Sequence, residues 1–169
     1  MPIVQRLPDG SEPAPAPLVL DDPDRVGIVA AELVVNRLWA RPHSRMLLPT
    51  GRSPQTMYAV LRAHSRAGHL PPGTATILQL DEYAGLGPGN PRSFAAQLRA
   101  QLDGIPLGAV RIIDGAATDP AVEAARHAAV LEAAPIDLAV LGLGATGTSH
   151  STSRPRGWPP AWRWCRSPA

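Results

Sequence analysis

Asp81 and Glu82 are adjacent carboxylates set directly after an apolar run, in the stretch ILQLDEYAGL at residues 77–86. A side chain that takes up and returns a proton, delivered at the end of a buried strand, is the equipment of general acid–base chemistry. Parallel strands present such groups at their carboxyl ends, where clefts form. Alternation along an extended backbone sends neighbouring side chains to opposite faces, so the two carboxylates cannot both aim at one substrate atom. One of them is a candidate base. The residues alone also fit a plainer arrangement, in which Asp81 caps the following turn and Glu82 is solvated.

A second segment with chemical potential is MLLPTGRSP at 46–54. It reads as strand, tight turn and helix start. Gly51 lets the backbone turn closely, and Ser53 followed by Pro54 fits an N-cap and first helical position. Free amides at a helix start, with a hydroxyl beside them, suit a phosphate. The same residues also describe an ordinary capped helix, and the glycine–lysine spacing of a P-loop is absent. The five histidines (43, 64, 69, 127 and 150) show no ligand spacing, so no metal site is expected and surface or helix-end positions are the expectation for each. Tyr58 and Tyr83 read as packing residues.

The elements that must position these groups alternate. Pro23, behind Asp21 and Asp22, starts a helix over 23–40 on which Val26, Val29, Leu33, Val34 and Leu38 recur at helical spacing. A strand at 45–49 and a helix at 54–67 follow, the latter with Met57, Val60 and Leu61 on one side. Next come a strand at 75–80, a helix near 92–103, a strand at 110–113, a helix at 119–133 and a strand at 136–143. This order predicts an α/β fold, a three-layer, Rossmann-like parallel sheet with helices on both faces.

A chain of 169 residues with 44% hydrophobic content supports one real core. The formal charge of +2 gives no electrostatic case for nucleic acid. The lone Cys165 excludes an internal disulfide and fits a reducing compartment. No apolar run approaches the roughly 20 residues of a membrane span, and MPIVQRLPDG lacks a signal-peptide pattern, so a cytoplasmic protein is expected.

Taken in order, LPTGRSP, then LDEYAGL with NPRSF after it, then IDLAVLGLG resemble the glucosamine-6-phosphate deaminase (isomerase) family, which is related to the 6-phosphogluconolactonases. The deaminase branch shows a phosphate turn of the P-T-G-[GS]-[TS]-P type and a D-E-Y-x-G-L motif near P-x-S-[FY]. A G-x-G-x-D-G-H-I-A-F-N-E-P segment comes later. The lactonase branch tends to have D-E-R, so Tyr83 and Gly85 favour the deaminase. Arg52 stands where a small residue is usual. The resemblance covers roughly residues 24–144. It implies a cofactor-free reaction on a small-molecule sugar phosphate: isomerisation and deamination of glucosamine 6-phosphate to fructose 6-phosphate and ammonia, in a family often homo-oligomeric. It further implies Asp81 as the proton-transferring base, Gly51 and Ser53 as phosphate-binding residues, and Glu82, Tyr83 and Gly85 as shapers of the loop. A carboxylate partly screened from water has its pKa raised and accepts a carbon-bound proton more readily.

The resemblance stops after Gly144. Thr146, Thr148 and Ser153 fall where the family has its Asp, His and Glu, and His150 lies two positions past the histidine. A threonine hydroxyl does not titrate near neutrality and cannot replace an imidazole. Synonymous codons exist for residues 145–154, ATGTSHSTSR, such that reading from the last base of the alanine codon gives D-G-H-I-A-F-N-E-P, the family motif. A shift of reading frame near Gly144–Ala145 is therefore expected, and with it a domain organisation of three parts. Residues 1–22 would be a lead-in and linker, 23–144 a partial sugar-phosphate isomerase-like domain incomplete at its C-terminal side, and 145–169 an aberrant, disordered tail. That tail holds three of the four tryptophans and the only cysteine. The chain as written is expected to be impaired. The alternatives are a 6-phosphogluconolactonase, or an inactive truncated or pseudogene product.

Overall fold

The computed structural model describes residues 18–142 and the backbone of the strand at 164–166. The expectations for 1–17 and for the remainder of the tail, including Thr146, Thr148, His150 and Ser153, lie outside the described residues.

Helix α1 (Pro23–Ala40) starts as its sequence dictates: the Asp22 carboxylate accepts from the Asp24 amide at 2.9 Å, and Pro23 occupies the first turn. Its buried stripe, however, is Gly27, Ala31, Val34, Val35 and Leu38, whereas Val26 and Leu33 of the expected stripe are exposed. The rotation has a packing cause. A Cβ at Gly27 would meet Thr56 Cβ at 2.7 Å, so the small residues let α1 settle closely on α2 (Gln55–Arg66). In sequence, β1 (Arg45–Leu47) comes between the two helices.

Strands β1, β2 (Thr76–Leu78), β4 (Ala109–Arg111) and β5 (Leu138–Ala139) form a sheet in the order β4-β2-β1-β5, every pair parallel. Helix α3 (Phe94–Leu102) links β2 to β4 and α4 (Pro120–Glu132) links β4 to β5. A separate short strand, β3 (Glu82–Ala84), precedes α3. The backbone of β6 (Trp164–Arg166) runs parallel to β3, with Tyr83 opposite Cys165. The strands are shorter than the sequence suggests: 75–80 shortens to three residues and 136–143 to two. Single backbone bonds continue past the assigned strands, from Gln79 N–H to Arg111 O and from Val140 N–H to Leu47 O, and Leu80, Val140 and Leu141, beyond those strands, line the cleft.

The core consists of Met46, Leu48 and Ile77 from the sheet region, packed against Val34 and Leu38 of α1, Met57 and Leu61 of α2, and Leu98 of α3. From β1 the chain steps outward to β2 and β4, then returns past β1 to β5. Right-handed crossovers in opposite directions put α4 on the face opposite α2 and α3, giving helices on both sides. The reversal leaves a crevice between β1 and β5 at the carboxyl ends of the strands, the position where open α/β sheets bind ligands. Arg45 fastens the opposite end of the sheet, donating to the carbonyls of Val130 and Ala134 at the carboxyl end of α4. Among the described residues, β5 is an edge strand and no helix is long and apolar enough to cross a membrane.

Candidate active site

The segments after β1, β2 and β5 meet in a cleft of about 570 Å³. Gly51 and Ser53 line it from the turn after β1, Asp81 from the segment after β2, and Leu141 and Gly142 from the segment after β5. Phe94, the first residue of α3, contributes from the side. Three of the residues marked by their chemistry in the sequence thus share one cavity at the sheet's switch point.

The turn after β1 differs from expectation in its details. Gly51 adopts φ +98°, a conformation costly for any residue with a Cβ. Its carbonyl accepts from Gln101 Nε2 at 2.7 Å, which ties the turn to α3. Ser53 does not cap α2. The helix starts at Gln55, Pro54 occupies the cap position, and no side chain caps it. The reason is local: Gln55 N–H closes a turn onto Arg52 O at 3.2 Å, which draws Ser53 into the turn and places its side chain on the surface. The positive end of α2 therefore faces the cleft without a side-chain oxygen of its own, and an anion can fill that role.

The two carboxylates part as alternation requires. Asp81 is half-buried at the cleft, and Glu82 points inward with 1% of its surface exposed, so it is not solvated. Glu82 Oε1 accepts from the amides of Tyr83 (2.8 Å) and Phe94 (2.9 Å), and Oε2 from the amide of Ala95 (2.8 Å) and from Gln79 Nε2 (3.1 Å). Ser93 caps the same helix, accepting from Ala96 N–H at 3.0 Å. A side chain twelve residues upstream thus satisfies the orphan amides that open α3, and the loop between is pinned at both ends.

Tyr83 stacks against Phe94 with ring centroids 4.5 Å apart. Gly85 turns the chain with φ +89° and donates to Gly115 O at 2.7 Å. Gly115 is itself an approach point: a Cβ there would sit 2.3 Å from the carbonyl oxygens of Tyr83 and Leu86. Tyr58 packs in the core and donates to Pro49 O at 2.7 Å, and burial pushes its phenol pKa well upward.

Gln79, His127 and the pair Glu123–Arg126 were not anticipated. Gln79 is buried where β2 ends. His127 of α4 is fully buried rather than at a surface, and its Nε2 bonds to Gln79 O at 2.9 Å. Since a carbonyl only accepts, the neutral ring is the Nε2–H tautomer. Desolvation holds its pKa below the usual histidine value. Glu123 pairs with Arg126 and accepts from Asp114 N–H at 2.8 Å. The hydrogen bond from Arg126 holds its carboxyl below the ordinary range despite the opposing effect of burial. Gln79 carried a legible signal, an amide side chain inside an apolar strand run, because a buried polar group requires partners. His127 gave none, since its burial depends on where α4 lands. Among the described residues no group of acidic, histidine or cysteine side chains could hold a metal.

No family model matches the chain. Among curated proteins it is similar to the glucosamine-6-phosphate deaminase of Mycolicibacterium smegmatis, 36% identical over 135 residues that cover 77% of this chain and 51% of that protein. The glucosamine-6-phosphate deaminase of Rhodopirellula baltica is 33% identical over 133 residues, covering 76% and 53%. Among solved structures, a monomeric glucosamine-6-phosphate deaminase superposes with a TM-score of 0.69 at 23% identity, over 74% of this chain and 54% of that one. A 6-phosphogluconolactonase from Shewanella baltica gives 0.60 at 17% identity, over 74% and 55%. The chain spans about half the length of the curated relatives it matches.

Proposed function

We propose, from the premise that this chain is a homologue of the glucosamine-6-phosphate deaminases, that its cleft is the first half of an amino-sugar phosphate site. The observation that carries this reading is the convergence of Gly51, Ser53 and Asp81 on one cavity at the sheet's switch point. The phosphate rests at the turn of Gly51 and Ser53 and against the amino end of α2, where the helix dipole and backbone N–H groups favour an anion. The sugar then extends toward Asp81. There the carboxylate takes the proton from one carbon of the opened sugar and returns it to the adjacent carbon. Water completes the reaction, releasing ammonia and leaving fructose 6-phosphate. Glu82, Tyr83 and Gly85 hold the loop that carries Asp81, and the chemistry calls for no cofactor. Such a sugar-phosphate enzyme works in the cytoplasm.

The residues after Gly144 do not supply the family's histidine, so the frame shift and the partial domain 23–144 are part of the same proposal. Losing a general acid costs on the order of 10²- to 10⁴-fold in rate. Ammonia release from glucosamine 6-phosphate is the test, run on the chain as written and on a version with the frame restored after Ala145. The restored chain is expected to turn over and to lose that activity with Asp81→Asn, while the chain as written is slower by about the factor given above. Activity that survives Asp81→Asn removes Asp81 from this role. Hydrolysis of a 6-phosphogluconolactone without ammonia release would make the protein a lactonase instead. An uninterrupted frame on resequencing, with no family motif in the adjacent frame, ends the frame-shift proposal.

A further inference from the structure

Resting on that reading of Asp81, we propose that Gln79 is its positioning residue, an amide clamp that fixes the chain where it leaves the sheet. Gln79 is the last residue held by the sheet: its N–H donates to Arg111 O at 3.0 Å, just past the end of β2. Beyond it, the carbonyl of Asp81 has left the ladder and needs another donor. Gln79 Nε2 provides one at 2.7 Å, closing a small ring from side chain to backbone around Leu80. The same Nε2 donates to Glu82 Oε2 at 3.1 Å, and Oε1 accepts from Ile113 N–H at 2.9 Å. Its own carbonyl accepts from His127 Nε2. Both amide hydrogens and the amide oxygen are therefore engaged, which fixes which way the amide faces.

The arrangement joins β4, α4 and the amino end of α3 to the two residues flanking Leu80. Its bond to Asp81 is made to the backbone carbonyl, in a residue that also lines the cleft. The clamp is local and buried, so its loss moves the Asp81 peptide rather than the phosphate turn. Gln79→Glu separates these effects. It keeps the shape and the acceptor for Ile113, and it replaces the two N–H donors with at most one O–H donor while setting a second carboxyl against Glu82.

The experiment follows the Asp81 carbonyl-carbon resonance and amide exchange by NMR in the full chain, for the wild type, Gln79→Glu and Gln79→Met. In Gln79→Glu the Asp81 carbonyl is expected to shift and the Tyr83 amide to exchange at least tenfold faster, with Ile113 and the core amides still protected. In Gln79→Met, Ile113 loses protection as well. An unshifted Asp81 carbonyl in both variants overturns the proposal. So does equal loss of protection at Ile113 and Tyr83 in Gln79→Glu, global unfolding included, since that is the signature of a purely structural amide. Adding glucosamine 6-phosphate to the wild type tests the underlying reading separately. Perturbation at Gly51, Ser53 and Asp81 supports it, and none at Asp81 defeats the substrate reading while leaving the ligand-free result on Gln79 intact.

Discussion

Glu82 accepts four hydrogen bonds inside the protein, three of them from backbone amides, so replacing its carboxylate leaves donors that water cannot reach. Glu82→Gln keeps one oxygen and turns the other end into a donor facing donors. It is expected to cost about 1.5–3 kcal/mol, the usual worth of hydrogen bonds to a charged group. Urea unfolding of the variant measures this directly, and a loss below about 1 kcal/mol would mean that the α3 amides find other partners. The sequence displayed the carboxylate pair and, through strand alternation, the parting of its members. It did not say that the inner one meets a helix start twelve residues away, because that meeting depends on the fold of the intervening loop.

At the scale of elements, the loop that carries Asp81 is docked by glycines. Gly85 makes the turn, and Gly115 lets the carbonyls of Tyr83 and Leu86 approach. Gly115→Ala is expected to displace the 82–86 segment and to cost about 2–3 kcal/mol, as overpacking against rigid backbone does. Gly89→Ala, where an added Cβ meets nothing, is expected to stay within about 0.5 kcal/mol. Thermal unfolding of the two variants provides the comparison, and equal shifts would count against the docking account. Gly85 was legible from its motif, whereas Gly115, thirty residues on, carried no local mark of its contact. The start of α2 shows the converse limit. Ser53–Pro54 has the composition of a cap, but the turn onto Arg52 O won the competition for the chain's path.

Over the whole molecule, the buried His127 couples stability to pH. Its pKa in the fold lies below the ordinary 6.5, so the unfolded chain binds a proton that the folded one resists. Stability from this residue is present above about pH 6.5 and is lost as pH falls below it, by at most about 1.4 kcal/mol per pH unit. Glu123 and Asp137, whose pKa values are held low chiefly by Arg126 and by the Arg45 amide respectively, lose their contributions only in more acidic solution. Urea midpoints between pH 7.5 and 5.5 should therefore fall in the wild type and fall less in His127→Gln; parallel slopes would exclude His127 as the cause. The sequence by itself determined the α/β alternation, the start of α1 and the segments that hold Gly51, Ser53 and Asp81, because periodicity, proline and glycine act over a few residues. Tertiary structure decided that these three share one cleft, that Glu82 serves α3, and that Gln79 and His127 join the ends of β2 and β4 to the middle of α4. Those outcomes depend on strand order and on where each crossover returns, and such long-range choices are set by the packing of the whole chain.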